Sequence, residues 1–546
     1  MFAKLRFTFT RLSMQLVERL SNSFYLYLAV LLSLLMLLDA SVFHVGENMR
    51  QKAFDLVVRS RIVTPKPDPD IVIVDVNEKS LAALAGDYGR WPWPRQVFAE
   101  FVEAVEKQHP KAIVFDILFS DADLFNPDSD AYFNDTIATT DNTYFPLLRL
   151  DASQDALSKI KPSMIAGVTK LENANADASI AVVLPHFEAT LKAGRLGTHN
   201  IYPDADGISR EYRLYHDDYG WKLPSLPLSI AQTLGYKPIS DQNMLLNWRG
   251  GPFTYQNLSF SDVYQDLTAK VPKRPSDEFT GKIIIIGSTA PSLFDIKATA
   301  MSRAHPGVEI LATAIDNLKH GDHLQVWRGA LPYAALSFLL LWLTAIGFYR
   351  EVERERFDKL FGFSQIGLLA VSYVGLNLSN FYLDLTAPVT WAILYFSIAK
   401  IYALATERAM QRVLAKNTQH LDANTSAVIM PILLETPYPL GDATLKMLCH
   451  AIEKPDIEVT VLKSSQSGVW GLFSEVLLVT WTTSEPTTPR MEKIISSLSA
   501  TVQHKNLPVT QIRHALHQAP LQVSGDNAKL WRTLFAEAIL KLEETS

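Results

Sequence analysis

The sequence predicts a membrane protein in three parts: an extracytoplasmic α/β domain, four transmembrane helices placed one before and three after it, and a small α+β cytoplasmic domain at the C-terminal end. Three observations lead there. Four apolar runs are too long and too poor in charge for soluble core helices. The stretch between the first and second alternates strand-length apolar runs with helical patterns, as a largely parallel sheet requires. Lys and Arg gather beside some runs and avoid others, which orients the runs in a bilayer.

The first run, Phe24 to Phe43, carries one ionisable residue, Asp39, over about the 20 residues needed to cross hydrocarbon; a transmembrane helix is expected over 23–44. The leader, 1–22, holds Lys4, Arg6, Arg11 and Arg19 against one acid, Glu18, so it faces the cytoplasm. Further spans are expected at 329–349, 361–378 and 385–405. The connection between the first two of these holds Arg350, Arg354, Arg356 and Lys359, whereas the next has no Lys or Arg and one acid, Asp384. Alternation then places 45–328 outside and everything after 405 in the cytoplasm. The run at 361–378 is the weakest of the four, because Ser364, Gln365, Ser372 and Asn377 dilute it. Lys400, near the inner end of the last run, is expected to snorkel.

The average composition of 546 residues, 48% hydrophobic and 20% charged, conceals this mosaic. It excludes a purely cytosolic enzyme. The net charge of −6 sits in the outer segment, which has 29 Lys+Arg and 36 Asp+Glu, so nucleic acid is excluded as a partner. Cys449 is the only cysteine, so neither an internal disulfide nor a cysteine-based zinc cluster can form.

Within the outer domain, Ile71 to Val76, Ala112 to Leu118 and Lys282 to Ile286 are continuous apolar runs of strand length, suited to strands covered on both faces. A helix is predicted over Arg95 to Gln108, where Phe98, Phe101, Val102 and Val105 recur at helical spacing. Before it, Trp91-Pro92-Trp93-Pro94 must be extended or turning, since each proline biases its predecessor away from helix.

Several of these stretches carry a resemblance. The run Ile71 to Asp75 with Asn77 and Ser80, then Arg90 to Arg95, then Ala112 to Asp116 with Phe119 and Ser120, is similar to the type-two CHASE domain, a family of bacterial extracytoplasmic sensor modules. Pro203-Asp204-Ala205-Asp206-Gly207 with Arg210, Gly281 to Asp295, Pro306 to Glu309 and Ile315 to Leu318 continue it in order. The resemblance covers about Phe54 to Gln325. It implies an outer sensor domain, one membrane helix before it and three after, and a cytoplasmic output domain in the bacterial inner membrane.

The residues that offer recognition chemistry are few. Asp75 and Asp116 stand at strand ends, where α/β domains place ligands. Arg90, Trp91, Trp93 and Arg95 suit closure over an anionic or planar ligand; the simpler reading has the tryptophans wedged against the sheet and Arg95 paired with Asp75 or Asp116. Ser288 and Thr289 fall in a strand-to-helix turn suited to polar groups, with Asp295 beyond. These nine residues form the candidate ligand site. The acidic run Asp121, Asp123, Asp128 and Asp130 suits a hard cation or, more simply, a solvated loop with capping aspartates. Asp204-Ala205-Asp206-Gly207 begins like a calcium loop but lacks the Glu that would complete it, which leaves a turn.

The tail is expected to open with a helical stalk or linker over 406–435. A compact domain follows over 436–546, with strands at Ile457 to Lys463, Glu475 to Thr482 and Val509 to Leu516, and helices at Pro489 to His504 and Asn527 to Glu543. It loosely resembles the nucleotide-cyclase architecture, yet no metal-binding carboxylate pair stands where two-metal chemistry would need it. Asp456 and Glu458 flank one strand, and His450, His504, His514 and His517 are scattered. No catalytic residue, metal ligand or cofactor is therefore expected.

The expected function is that of an inner-membrane receptor, which senses an unidentified extracytoplasmic ligand and relays it through its helices to a non-catalytic domain that docks a cytoplasmic protein partner. The lipid bilayer and a second copy of the chain are its other expected partners. A structural scaffold and a divergent cyclase-like enzyme are the alternatives.

Overall fold

The computed structural model describes residues 23–43, 45–237, 239–327, 330–350, 352, 354–405, 425–462, 475–521 and 527–544. The leader and the stalk over 406–424 lie outside them. The chain divides into two compact units, one of Phe43–Tyr333 with Ser364–Ala387, the other of Met1–Val42, Ala334–Phe363 and Pro388–Ser546.

The first unit is built on a sheet whose strands are β1 (Ile71–Asp75), β2 (Ala112–Phe115), β3 (Thr143–Arg149), β4 (Val182–Val183), β5 (Leu196–Thr198), β8 (Gln256–Ser259) and β9 (Ile283–Gly287), with β6 (Glu211–Arg213) and β7 (Asn243–Leu245) paired outside it. The spatial order is β8-β1-β9-β2-β3-β4, with β5 beside β3. All these pairs are parallel except β3 with β4. Sequence neighbours β1 and β2 are separated by β9, so the chain leaves the sheet between them and returns late to fill the gap.

Both faces of the sheet are covered, which explains the unbroken apolar runs. Val72 and Val74 join Phe98, Phe101, Val102 and Phe260, from α4 (Gln96–Glu106) and α7 (Phe260–Leu267), in one core. Ile71 and Ile73 point the other way, to Ile230 of α6 (Leu226–Thr233) and Leu311 and Ile315 of α8 (Gly307–His320). Two further helices, α3 (Glu78–Tyr88) and α5 (Pro127–Ala138), lie along the chain on either side of α4. The predicted helix and strands stand within a few residues of their expected ends.

A second core lies against the outer flank of α8. It joins Ile310, Ala314 and Leu318 to Tyr212 of β6 and Met244 of β7, and to Phe54 and Val58 of α2 (Val45–Arg59). Leu376 and Tyr382 complete it. Leu376 comes from the last turn of α10 (Arg354–Leu378) and Tyr382 from the connection to α11 (Thr386–Ala405), which is anchored by strand β11 (Phe381–Tyr382) parallel to β10 (Gln325–Val326).

In the other unit, α1 (Ser23–Leu38) runs into a π-helical turn at Asp39–Phe43. Leu28 and Leu32 of α1 pack with Leu341 of α9 (Ala330–Tyr349) and with Tyr395 and Ala399 of α11. Tyr395 donates to Tyr25 O at 3.0 Å. Among the described residues three helices are long and apolar enough to cross a membrane: Ser23–Phe43, Leu331–Tyr349 and Arg356–Leu378. The run expected to be weakest, at 361–378, is one of the three. The helix α11, 20 residues long, is not among the three. Lys400 does more than snorkel, for its ammonium pairs with Asp358 of α10.

The tail folds around β12 (Ser426–Glu435), flanked by β14 (Glu475–Thr483) on one side and by β15 (Gln511–His514) and β16 (His517–Pro520) on the other, with β13 (Glu458–Leu462) outside β14. Every pairing is antiparallel. Helices α12 (Asp442–Ile452) and α13 (Thr488–His504) cover one face and α14 (Asn527–Glu544) the other. The stretch expected to be linker thus ends in the domain's central strand. Pro431 does not break it, because its carbonyl accepts Ala515 N–H at the step from β15 to β16, where the missing N–H costs no ladder bond. The strand expected at Val509 to Leu516 is the shorter β15, and β16 begins beyond its expected end.

Candidate functional site

The carboxyl ends of β1, β9 and β2 bring together residues from five separate stretches. Asp75 ends β1 and is 2% exposed. Its carboxylate accepts Thr289 N at 2.8 Å, Thr289 Oγ1 at 2.6 Å and Asn257 Nδ2 at 3.2 Å. Ser288 donates to Val76 O at 2.8 Å. Asp75 and Thr289 therefore lock β1 to the turn after β9, and burial raises the Asp75 pKa against those hydrogen bonds.

Asp116 follows β2, and its side chain is 3% exposed. Its Oδ1 lies 2.6 Å from His199 Nε2, while its Oδ2 is buried without a hydrogen-bond partner among the described residues. His199 follows β5, and its Nδ1 stands 3.1 Å from Tyr212 Oη. Asp295 and Lys297, 3.3 Å apart, close the group from the loop after β9. Burial works against a charge on His199, but Asp116 and then Asp295 outweigh it and hold its pKa up. The Asp295 carboxyl is also raised, by burial and by the like charge of Asp116. Burial raises the Tyr212 phenol in turn.

Two glycines permit this closeness. A Cβ on Gly287 would meet Val308 Cγ2 at 2.6 Å, and one on Gly307 would meet Asp295 Oδ2 at 2.1 Å. Nearby, Phe294 adopts φ +56° although 84% exposed. This is a strained conformation for a bulky residue, directly before Asp295.

Tyr212 also leads away from the site. It lies in the core that holds Phe54 of α2, and two residues before it Arg210 grips α2 directly. Arg210 reaches Asp55 at 2.8 Å, Asp204 at 2.6 Å and Asp206 at 2.7 Å. The aspartates resembling a calcium loop are thus spent on an arginine, with Gly207 at φ +80° making the turn. One helical turn before Asp55, Arg50 pairs at 2.5 Å with Asp384, whose other oxygen accepts Thr386 N at the start of α11 at 3.3 Å.

A family model for the CHASE2 domain matches residues 28–348, more than half of the chain. The chain belongs to the CHASE2 domain family. CHASE2 domains are sensor domains, and with its apolar helices the protein is a membrane protein carrying an extracytoplasmic sensor. No curated protein and no solved structure matches it.

The aromatic motif of this CHASE2 domain has a packing role. Trp93 is wholly buried, and Trp91 lies edge-on to it with ring centroids 5.0 Å apart. Arg90 is exposed. Arg95 pairs with neither Asp75 nor Asp116, whose carboxylates already serve Thr289 and His199. It donates to Trp93 O at 3.0 Å, lies over Phe119 and stands 3.9 Å from Asp130. Of the nine expected site residues, Asp75, Asp116, Ser288, Thr289 and Asp295 meet at one sheet edge, and the Arg90 to Arg95 group stands apart. His199, Tyr212 and Lys297 were absent from the expectation.

Elsewhere in the CHASE2 domain, the acidic run serves its own loop: Asp123 accepts Phe125 N and Asn126 N, and Asp130 accepts Asp123 N. Asp68, Asp316 and His320 lie close enough to hold a metal ion. Lys319 already pairs with Asp68 at 2.7 Å and Arg249 with Asp316 at 2.6 Å, so their charge is matched within the protein. In the tail, Asp456 pairs with Arg490. Burial pushes the Cys449 thiol up to about 11, so at neutral pH it is largely protonated and reacts slowly.

Proposed function

We propose that the protein is an inner-membrane receptor whose outer domain reads a stimulus at the carboxyl edge of its sheet. The change passes to the tail through α2 and α11. The observation that carries this reading is the position of α2. Asp55 ties it to Arg210 beside the sheet-edge group, and Arg50 ties it to Asp384 at the head of α11, the helix that leads toward the tail. A shift of a few tenths of an ångström in Arg210 therefore meets a charged contact on each side of one short helix.

The same contacts support four crossings with both termini cytoplasmic. The connection between α10 and α11 is bound to the outer domain, since Arg61 donates to Leu376 O at 2.9 Å and Asn247 to Asn380 at 3.3 Å. The end of α10 and the start of α11 thus share the side of the outer domain. The basic connection between α9 and α10 then falls on the opposite side, as the positive-inside rule demands. The tail, without a recognisable set of catalytic residues, acts by docking a cytoplasmic protein, and the receptor works as a homo-oligomer.

The test uses the full chain in bacterial membranes, with reporter fusions after residue 546 to place the tail and with Asp55→Asn to cut the clamp. The reading expects a cytoplasmic tail and an altered partner set in the variant. An outward-facing tail, or a variant whose captured partners and amounts equal the wild type, would overturn it.

A further inference from the structure

We propose that the sheet edge is a proton-binding site. Uptake and release of a proton by the His199, Asp116 and Asp295 group sets the direction of the Tyr212 hydroxyl and thereby biases the α2 clamp. The inference rests on the receptor reading and names what its site takes up.

Three features of geometry carry it. Asp116 Oδ2 is a buried carboxylate oxygen with no partner among the described residues, which costs free energy unless a proton or cation reaches it. Asp295, whose carboxyl lies against Gly307, is buried and feels the like charge of Asp116, which favours its protonated form. His199 stands between Asp116 and Tyr212, bonded to both. The groups that face it are Asp116 after β2, Tyr212 of β6, and Asp295 and Lys297 of the loop after β9. Lys297, 41% exposed, is the only fixed cation among them. The charge therefore favours a small cation, and the close packing favours the smallest.

The consequence for Tyr212 follows from hydrogen-bond inventory. A charged His199 donates from both nitrogens, so Nδ1–H points at Tyr212 Oη and the phenol must turn its own proton away. A neutral His199 donating from Nε2 to Asp116 leaves Nδ1 as an acceptor, and the phenol then donates to it. Tyr212 is 2% exposed and packs in the same core as Phe54 of α2, so this reversal occurs where water cannot compensate it.

The experiment has two arms on the full chain. Deuterium exchange at the imidazole C2 of His199, read by mass spectrometry from pH 5 to 9 in detergent, measures the site itself. The midpoint is expected above 6.5 and is expected to move down in Asp116→Asn and, by less, in Asp295→Asn; two variants guard against one that fails to fold. A midpoint at or below 6.5 in the wild type, or one unmoved in the folded variants, overturns the proposal. In the second arm, spheroplasts at fixed internal pH are taken through external pH 5 to 8 while a permeant maleimide labels Cys449. Labelling is expected to change by about fivefold, the lower end of ordinary allosteric coupling, and the change is expected to be lost in His199→Gln. A flat wild-type profile overturns the coupling. The clamp variant at Asp55, which requires no change of pH, judges the receptor reading separately.

Discussion

Arg50 and Asp384 meet at 2.5 Å across more than 330 residues of sequence, with Asp384 only 8% exposed. One residue belongs to α2, the helix that follows α1, and the other stands just before α11. A partner so nearly buried is costly to strand. Asp384→Ala, which also removes the cap of α11, is expected to destabilise the full chain by about 1–3 kcal/mol. Arg50→Gln is expected to cost less, because Arg50 is 39% exposed. Thermal unfolding in detergent checks the ranking.

Arg210 pairs with three carboxylates at once, with its own side chain 4% exposed. Arg210→Met removes the only cation in that cluster and is expected to cost about 3–5 kcal/mol, as breaking buried ion pairs does. Asp206→Asn leaves two of the three partners and is expected to cost much less. A small, equal effect of both would show that Arg210 is no clamp.

Stability against pH is expected to peak near 6.5. His199 has a raised folded pKa, so its contribution is complete below 6.5 and is lost as the pH rises through the folded value. His216 runs the other way: burial and then Arg213 lower it to about 4, so its contribution is present above 6.5 and is lost as the pH falls toward 4. His199→Gln is expected to flatten the alkaline limb and His216→Gln the acid limb. Melting temperatures from pH 4 to 9 check both, and swapped limbs would contradict the assignment.

Trp93→Ala is expected to cost about 3–5 kcal/mol, the usual price of emptying an aromatic core position, whereas Arg90→Ala is expected to stay within about 0.5 kcal/mol. Denaturant unfolding of the two variants distinguishes a packed wedge from a ligand clamp, in which both residues would matter for binding and neither for folding.

Gly287→Ala places a methyl 2.6 Å from Val308 Cγ2 and 3.0 Å from Asp116 Cβ. It is expected to destabilise by about 1–3 kcal/mol as an overpacked site, and to shift the titration of His199 by moving Asp116. Val308→Ala in the same chain is expected to restore part of the loss.

How far the sequence reached depended on how local each signal was. β1, β2 and β9 were legible because burial on both faces leaves no polar alternation, and the helical recurrence of Phe98, Phe101, Val102 and Val105 gave α4 away. Asp75, Asp116 and Asp295 were legible from their places after strands. His199 was not, since β5 is only three residues long and nothing nearby marks a site. Its partner Tyr212 enters from another short strand by tertiary packing alone. Arg95 was misassigned because Asp75 and Asp116 looked in need of a cation, while their true partners, Thr289, Asn257 and His199, lie far along the chain. The central strand of the tail was hidden by Pro431, whose tolerance depends on the step between two neighbouring strands.

The central claim is that α2 couples the outer domain to the tail, and the most direct measurement is the rate of maleimide labelling at Cys449 in the full chain in membranes. Cys449 is half-buried in α12, so its rate reports the state of the tail. The account predicts an altered rate in Arg50→Asp and in Asp384→Arg, and recovery of the wild-type rate when the two are combined so that the pair is re-formed with its charges exchanged. Equal labelling in the wild type, both single variants and the double variant would contradict it.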